Sequence, residues 1–251
     1  MNRALIVQVF KNRSYEIQPA IQKLIDKLLS LESEPLFLRD LTQYGNTKLP
    51  KTTAIVNFGP AKYCPSKTLG LCPFGRSGKC YAERPENFRP QVLPYRLKQA
   101  KFWLSTSGED FARQFIEMYG RKRNKPTLLR LNESGDMFSQ FCVDKVYTLA
   151  RIIFEATGVK TYLYTHRTDL TYYGNTPFLS LIKSESIHVN GIGTEYRTVD
   201  RVTFEAKKAD KKAFPNYKSN ANNFFCPGSC KACKLCAFPP VPGAVIYNKI
   251  H

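Results

Sequence analysis

No apolar run in this 251-residue chain approaches the ~20 residues that a bilayer-spanning helix requires, which excludes a helical membrane protein. The apolar opening A-L-I-V-Q-V-F soon meets Lys11 and Arg13, and no small-residue cleavage site follows. A secretory leader is therefore not expected, and the protein reads as cytoplasmic with no membrane partner. Acidic residues are scarce: 20 Asp and Glu face 38 Lys and Arg, a formal net charge of +18. Such a field draws polyanions, nucleic acid first among them in a cytoplasm, although solubility alone would also account for it. Internal repeats and low-complexity tails are missing as well, so a solenoid or a repeat array is excluded.

What the chain does have is cysteine. Eight cysteines in a cytoplasmic chain of this size point to metal or redox chemistry, because structural disulfides belong mostly to small secreted domains. Three of them, Cys64, Cys72 and Cys80, lie with seven residues between neighbours in Y-C-P-S-K-T-L-G-L-C-P-F-G-R-S-G-K-C-Y-A. Proline and glycine are frequent there, so the segment should continue neither a helix nor a sheet ladder and its sulfurs are free to converge. Two readings stay open: a zinc knuckle whose fourth ligand is Cys142 or His166, or a 4Fe-4S cluster with one iron left unligated by protein. Four more, Cys226, Cys230, Cys233 and Cys236, crowd into C-P-G-S-C-K-A-C-K-L-C. Zinc sites usually split four cysteines into two distant pairs, so this compact spacing favours a second iron-sulfur cluster, with zinc as the alternative. Two clusters would leave the charge near about +15, still basic. The eighth, Cys142, falls in an amphipathic pattern and reads as a small buried hydrophobe.

Periodicity predicts strands at 4–10, 52–58, 127–131, 160–165, 186–190, 201–206 and 244–250. Helices are predicted at 17–31, about 93–104, 109–119 and 139–157, with another within 177–183; Gly158 is the expected left-handed cap of the fourth. The helix at 139–157 should bury Phe141, Val146, Leu149, Ala150, Ile153 and Phe154. Strands alternating with helices imply parallel βαβ units, hence one α/β domain over 1–251 with a partial (β/α) barrel-like parallel sheet and a C-terminal cysteine-rich loop at 226–236. Chemistry in such folds gathers at the C-terminal ends of strands. There the sequence puts the first cysteine loop, N-E-S-G-D at 132–136, Y-T-H-R ending at Arg167, and Gly191-Ile192-Gly193. Glu133 and Asp136 offer acceptors, and Gly135 allows close backbone approach. His166 and Arg167 suit a carboxylate or phosphate, or simply end a strand. His188 reads as a core or surface residue, and G-I-G-T-E is a weak match to an adenine-contacting turn. Basic runs at 121–125 and 207–212, interleaved with Tyr119 and Phe214, suit solvated loops or phosphate contacts alike.

A three-cysteine loop after a strand, a glycine- and acid-containing motif after the next strand, and a late cysteine cluster together resemble the radical S-adenosylmethionine enzymes. The resemblance implies a 4Fe-4S cluster on Cys64, Cys72 and Cys80, S-adenosylmethionine held by it, and cofactor contacts from Glu133, Gly135 and Asp136. It also implies an electron donor as partner and an auxiliary cluster on the last four cysteines. The spacing differs from the superfamily's, and the aromatic residue it places before the last cysteine is here Tyr81, after Cys80. The ordered run of C-P-S-K-T-L-G-L-C, G-K-C-Y-A, R-L-N-E-S-G-D, Y-T-H-R and the terminal cysteines more closely resembles a phage and plasmid family named gene-product-88-like, over roughly residues 50–240. That likeness implies a mobile-element origin and a host cytoplasm, without an activity. Besides a radical enzyme acting on an anionic substrate, two functions fit the sequence. One is a non-enzymatic zinc or iron-sulfur module that binds nucleic acid; the other is a metal-dependent hydrolase or nuclease with Glu133, Asp136 and His166 as ligands.

Overall fold

A computed structural model describes residues 17–31, 35–72, 74, 80–174, 176–189, 192–199, 202–203, 223–225, 236–237 and 245–249. The predicted strand at 4–10 lies outside the described residues, as do Cys226, Cys230, Cys233 and the second basic run.

Helix α1 (Pro19–Leu29) begins with proline in its first turn, where the missing N–H has no partner to lose, and buries Ile21, Leu24, Ile25 and Leu28 along one face. A single turn, α2 (Leu38–Leu41), leads to the short strand β1 (Gln43–Tyr44). Strand β2 (Thr53–Val56) is buried throughout. Beyond it come a 3-10 turn (Ala61–Tyr63), α3 (Pro65–Thr68), α4 (Glu83–Phe88), α5 (Val92–Ser105) and α6 (Gly108–Arg121). Strand β3 (Leu128–Leu131), helix α7 (Gln140–Thr157) and strand β4 (Lys160–Thr165) follow. Then come β5 (Leu179–Val189), β6 (Ile192–Val199), β7 (Val202–Thr203), β8 (Asn223–Phe225) and β9 (Val245–Lys249).

The result is a mixed α/β fold around a mostly parallel sheet. Strands β2, β3, β4 and β5 run parallel and side by side in chain order, with β1 antiparallel at the β2 edge. Beyond β5 the sheet turns antiparallel through β6 and β9, and β8 pairs parallel with β9. An order without reversal sends every right-handed crossover to the same side. Accordingly Ala54, Val56, Leu129, Leu131, Leu163, Leu179 and Leu181 share one core with Ile21, Trp103, Phe111, Phe115, Val146, Leu149 and Ile153 of the helices. The opposite side of the sheet carries Thr53, Ile55, Leu128, Arg130, Tyr162 and Ser180, which are partners in register. Ala237 packs there on Leu128 and Tyr162, with Cys236 beside them, and the Ser180 hydroxyl donates to the Ala237 carbonyl at 3.1 Å.

Three expectations change. The helix expected within 177–183 is the start of β5; the L-S-L-I run is buried on both sides of a central strand, where the two-residue alternation that marks a strand is lost. In α7 the buried stripe is Cys142, Val143, Val146, Leu149, Ala150 and Ile153, so Phe141 and Phe154 fall on its margin and are only partly covered. The cysteine loop does hold helix: Pro65 opens the single turn α3, a position that proline favours. Cys142 is 2% exposed in the main core, as a small hydrophobe should be, and Gly158 caps α7 at φ +72° with its N–H on the Phe154 carbonyl at 2.8 Å.

Candidate functional site

Three loops leave the C-terminal ends of adjacent parallel strands: 57–82 after β2, 132–139 after β3 and 166–178 after β4. Their joining residue is Asp136, 3% exposed. Its carboxylate accepts from the Ser66 hydroxyl at 2.6 Å, the Thr165 hydroxyl at 2.7 Å, the His166 N–H at 2.9 Å and the Met137 N–H at 2.8 Å. Each loop thus contributes a donor. A buried carboxylate is tolerable only when so fully hydrogen-bonded, and here the bonds fix the cysteine loop to the two other strand ends.

The neighbours repeat the pattern. Gly135 has φ +77°, and a Cβ there would stand 2.8 Å from the Gly59 nitrogen, so the β3 loop rests backbone to backbone on the β2 loop. The close approach anticipated at Gly135 is therefore to the protein's own chain. Asn132, at φ +49°, uses its side-chain amide as an extra ladder rung: it donates to the Tyr164 carbonyl and accepts the Tyr164 N–H at 3.2 Å. Asn57 accepts the Ser134 N–H at 2.8 Å and donates to Gln99 at 3.1 Å. Glu86 of α4, 8% exposed, accepts the Ala61 and Lys62 N–H groups at 2.7 and 3.0 Å and pairs with Arg96 at 2.6 Å. It ties the chain just before Cys64 to the helix just after Cys80.

The sulfurs sit within this frame. Burial pushes the Cys64 thiol well above its ordinary range, the Asp136 carboxylate and Cys72 push the same way, and N–H groups of Lys67 and Ser66 directed at the sulfur pull it back in part. Burial also raises Cys80, against N–H groups of Ala82 and Glu83. Lys67 and Glu83, whose charges act on Cys80 in opposite senses, pair with each other across the two ends of the loop. Main-chain N–H groups aimed at sulfur suit thiolate, while burial and negative neighbours oppose it; a bound cation is the partner that would resolve the conflict. Among the described residues no group of three or more His, Cys, Asp or Glu side chains is arranged to hold a metal ion.

The acidic and basic candidates divide. The Glu133 side chain is 19% exposed, accepts from Asn46 and lies 3.8 Å from Arg130. The His166 ring meets the ring of Phe74, from inside the cysteine loop, edge-on with centroids 6.1 Å apart. Arg167 is 2% exposed and spends its guanidinium on Asp169, at 2.7 and 2.8 Å, and on the carbonyls of Met137 and Phe138. Partial burial would raise the Asp169 carboxyl, but the Arg167 guanidinium outweighs it and holds the group below its usual range.

The sequence matches the family model described as gene product 88 over residues 29–190, well over half its length. The chain belongs to the gene product 88 family. No curated protein and no solved structure matches it significantly. The gene product 88 match takes in the cysteine loop, N-E-S-G-D and Y-T-H-R, and it ends before Cys226. The terminal cysteines thus lie outside it, and the likeness is narrower at that end than the expected 50–240.

Several residues of the frame carry no signal that pattern reasoning detects. Ser66, Asn57 and Glu86 sit in a loop, at a strand end and on a polar helix, where their residue types are common. Arg130 is a charged residue inside a strand of leucines, and that mismatch was a usable clue.

Proposed function

We propose that this chain is an iron-sulfur protein acting as a radical S-adenosylmethionine-like enzyme on an anionic substrate, nucleic acid being the first candidate. The observation that carries the reading is the cysteine loop at the end of β2: Cys64 and Cys80 each face two main-chain N–H groups, and Asp136 ties that loop to the next two strand ends. In this reading β2 to β5 form the wall of a partial barrel with the helices outside. Cys64, Cys72 and Cys80 would hold a 4Fe-4S cluster, and Cys226, Cys230, Cys233 and Cys236 a second. A cluster on three cysteines supplies, when bound and reduced by an electron donor, single electrons and an open coordination position beside the cofactor. Glu133 and His166, both partly exposed, are the side chains that would meet that cofactor. Asp136, Gly135 and Arg167 set the walls around it.

A zinc- or cluster-stabilised nucleic-acid-binding module is the second reading, favoured by the basic run after α6. Arg121 and Arg123 are exposed there, and Lys122 and Lys125 stand over the rings of Tyr44 and Tyr119 at 3.3 and 4.7 Å. The hydrolase reading has less support, because Asp136 gives its oxygens to four protein donors. Electron paramagnetic resonance of the anaerobically reduced protein separates the first two. The enzyme reading expects a cluster signal that changes when S-adenosylmethionine is added; an unchanged signal, or none, would leave the binding module.

A further inference from the structure

We propose that Arg130, together with Tyr81, Tyr162 and Tyr164, forms a binding site for an oxyanion, the carboxylate or phosphate group of a small molecule. Arg130 is the third residue of β3 and faces away from the helices, beside Tyr162 in register. Its side chain is 12% exposed. So buried a guanidinium ordinarily spends its five N–H groups on acceptors, as Arg167 does just past β4. Arg130 does not. Its Nη1 stands 3.8 Å from the Glu133 carboxylate, beyond hydrogen-bond reach, and its Cζ lies 5.2 Å from the centre of the Tyr164 ring. Its Nε, on the edge that with Nη2 makes side-on bidentate contacts, is buried with no hydrogen-bond partner.

Leaving a buried charged donor without an acceptor costs free energy, and an oxyanion that presents two oxygens to the side-on edge is the complement that removes the cost. The surroundings suit such a guest. Burial alone would make the guanidinium easier to deprotonate, but its surroundings, the Glu133 carboxylate among them, raise it above the ordinary arginine value, so Arg130 stays charged. The Tyr164 ring lies under the guanidinium, and Tyr162 is the partner of Arg130 in register on the same side of the sheet. Tyr81 also marks the way in: it is 59% exposed, its hydroxyl donates to the Glu133 carbonyl at 2.7 Å, and it follows Cys80 directly. An anion bound here lies against the cysteine loop, which gives the proposed anionic substrate a recognition residue. The inference rests on that part of the proposed function alone, and it holds whichever metal the cysteines carry.

The test titrates the full-length protein, in chloride buffer, with inorganic phosphate and separately with succinate, reading thermal shift and calorimetry. One of the two should stabilise the wild type. R130Q should weaken that binding roughly 10- to 100-fold, the worth of a charge-assisted bidentate contact, and R130K should recover only part of it. Which titrant acts decides between phosphate and carboxylate. R130M, which removes the buried Nε–H that has no acceptor, should keep or raise Tm without added anion; a large fall in its Tm would make Arg130 a structural residue and overturn the proposal. An equal response in wild type and R130Q, an adventitious ion only, would overturn it too, and so would no response to either anion. Iron, sulfide and zinc are measured on the same preparations, so loss of the anion site and loss of the metal reading remain distinguishable.

Discussion

Replacing Asp136 with asparagine exchanges one carboxylate oxygen for an NH2 group and removes the charge at nearly constant shape, which makes it a sharp test of the frame around the cysteines. In the wild type one carboxylate oxygen serves the Thr165 hydroxyl and the Met137 N–H, and the other the Ser66 hydroxyl and the His166 N–H. The amide of D136N can satisfy only one of these pairs. On the other side its NH2 confronts a hydroxyl, which can turn to accept, and a main-chain N–H, which cannot. An orphaned buried donor costs about 1–3 kcal/mol, and reducing charge-assisted bonds to neutral ones adds roughly 0.5–1 kcal/mol for each of the remaining pair or so. The sum is about 2–5 kcal/mol, a fall in Tm of roughly 4–20 °C for a chain of this length. A second readout is chemical. Because the Asp136 charge helps to raise the Cys64 thiol, D136N should move the alkylation of the Cys64 peptide, followed by mass spectrometry against pH, to lower pH. A Tm within a degree or two of wild type, with an unmoved Cys64 profile, would refute the role assigned to Asp136.

The remaining expectations address its neighbours. G135A forces a left-handed φ on a residue whose new Cβ meets the Gly59 backbone, and should cost about 3 kcal/mol or more in chemical denaturation, where a harmless substitution would show no shift in midpoint. E86A strands Arg96 and frees the Ala61 and Lys62 N–H groups, so about 3–5 kcal/mol should be lost, together with retention of metal on the cysteine loop; normal stability would mean the loop is held elsewhere. Lys145, 3% exposed in α7, donates to the carbonyls of Trp103 and Thr106, yet burial lowers its pKa from 10.5 to about 7. Between those values the unfolded chain binds the extra proton, so stability rises with pH across that window, and below about pH 7 the cost is present in full. Relative to K145M, which lacks the group, wild type should gain up to about 1.4 kcal/mol per pH unit as pH rises from 7 toward 10, measured as denaturation midpoints; parallel pH profiles would show that Lys145 stays charged when folded.

The parts of this fold that were legible in the sequence are those set by local periodicity. The amphipathic stripe of α1, the strand before the cysteine loop, the glycine that ends α7 and the parallel order of β2 to β4 all follow from spacing and caps. The start of β5 did not, since burial on both sides of a sheet erases the alternation that marks a strand. At the strand ends, composition marks N-E-S-G-D as a turn and its residues as acceptors. It cannot say that Asp136 turns inward to three loops while Glu133 stays near the surface, because that choice depends on partners 29 to 70 residues distant along the chain. Gly135 shows the same limit: a close approach was legible, but not that the partner is Gly59 rather than a ligand.

The central claim is that the cysteine loop holds iron and sulfide. Anaerobic purification of the full-length protein, beside the C64S/C72S/C80S triple variant, followed by iron, acid-labile sulfide and zinc analysis, tests it most directly. Iron and sulfide in near-equal amounts, with about four of each lost in the triple variant, is the result expected of a 4Fe-4S cluster on those three cysteines. Stoichiometric zinc without sulfide in the wild type, or iron and sulfide unchanged in the triple variant, would contradict it.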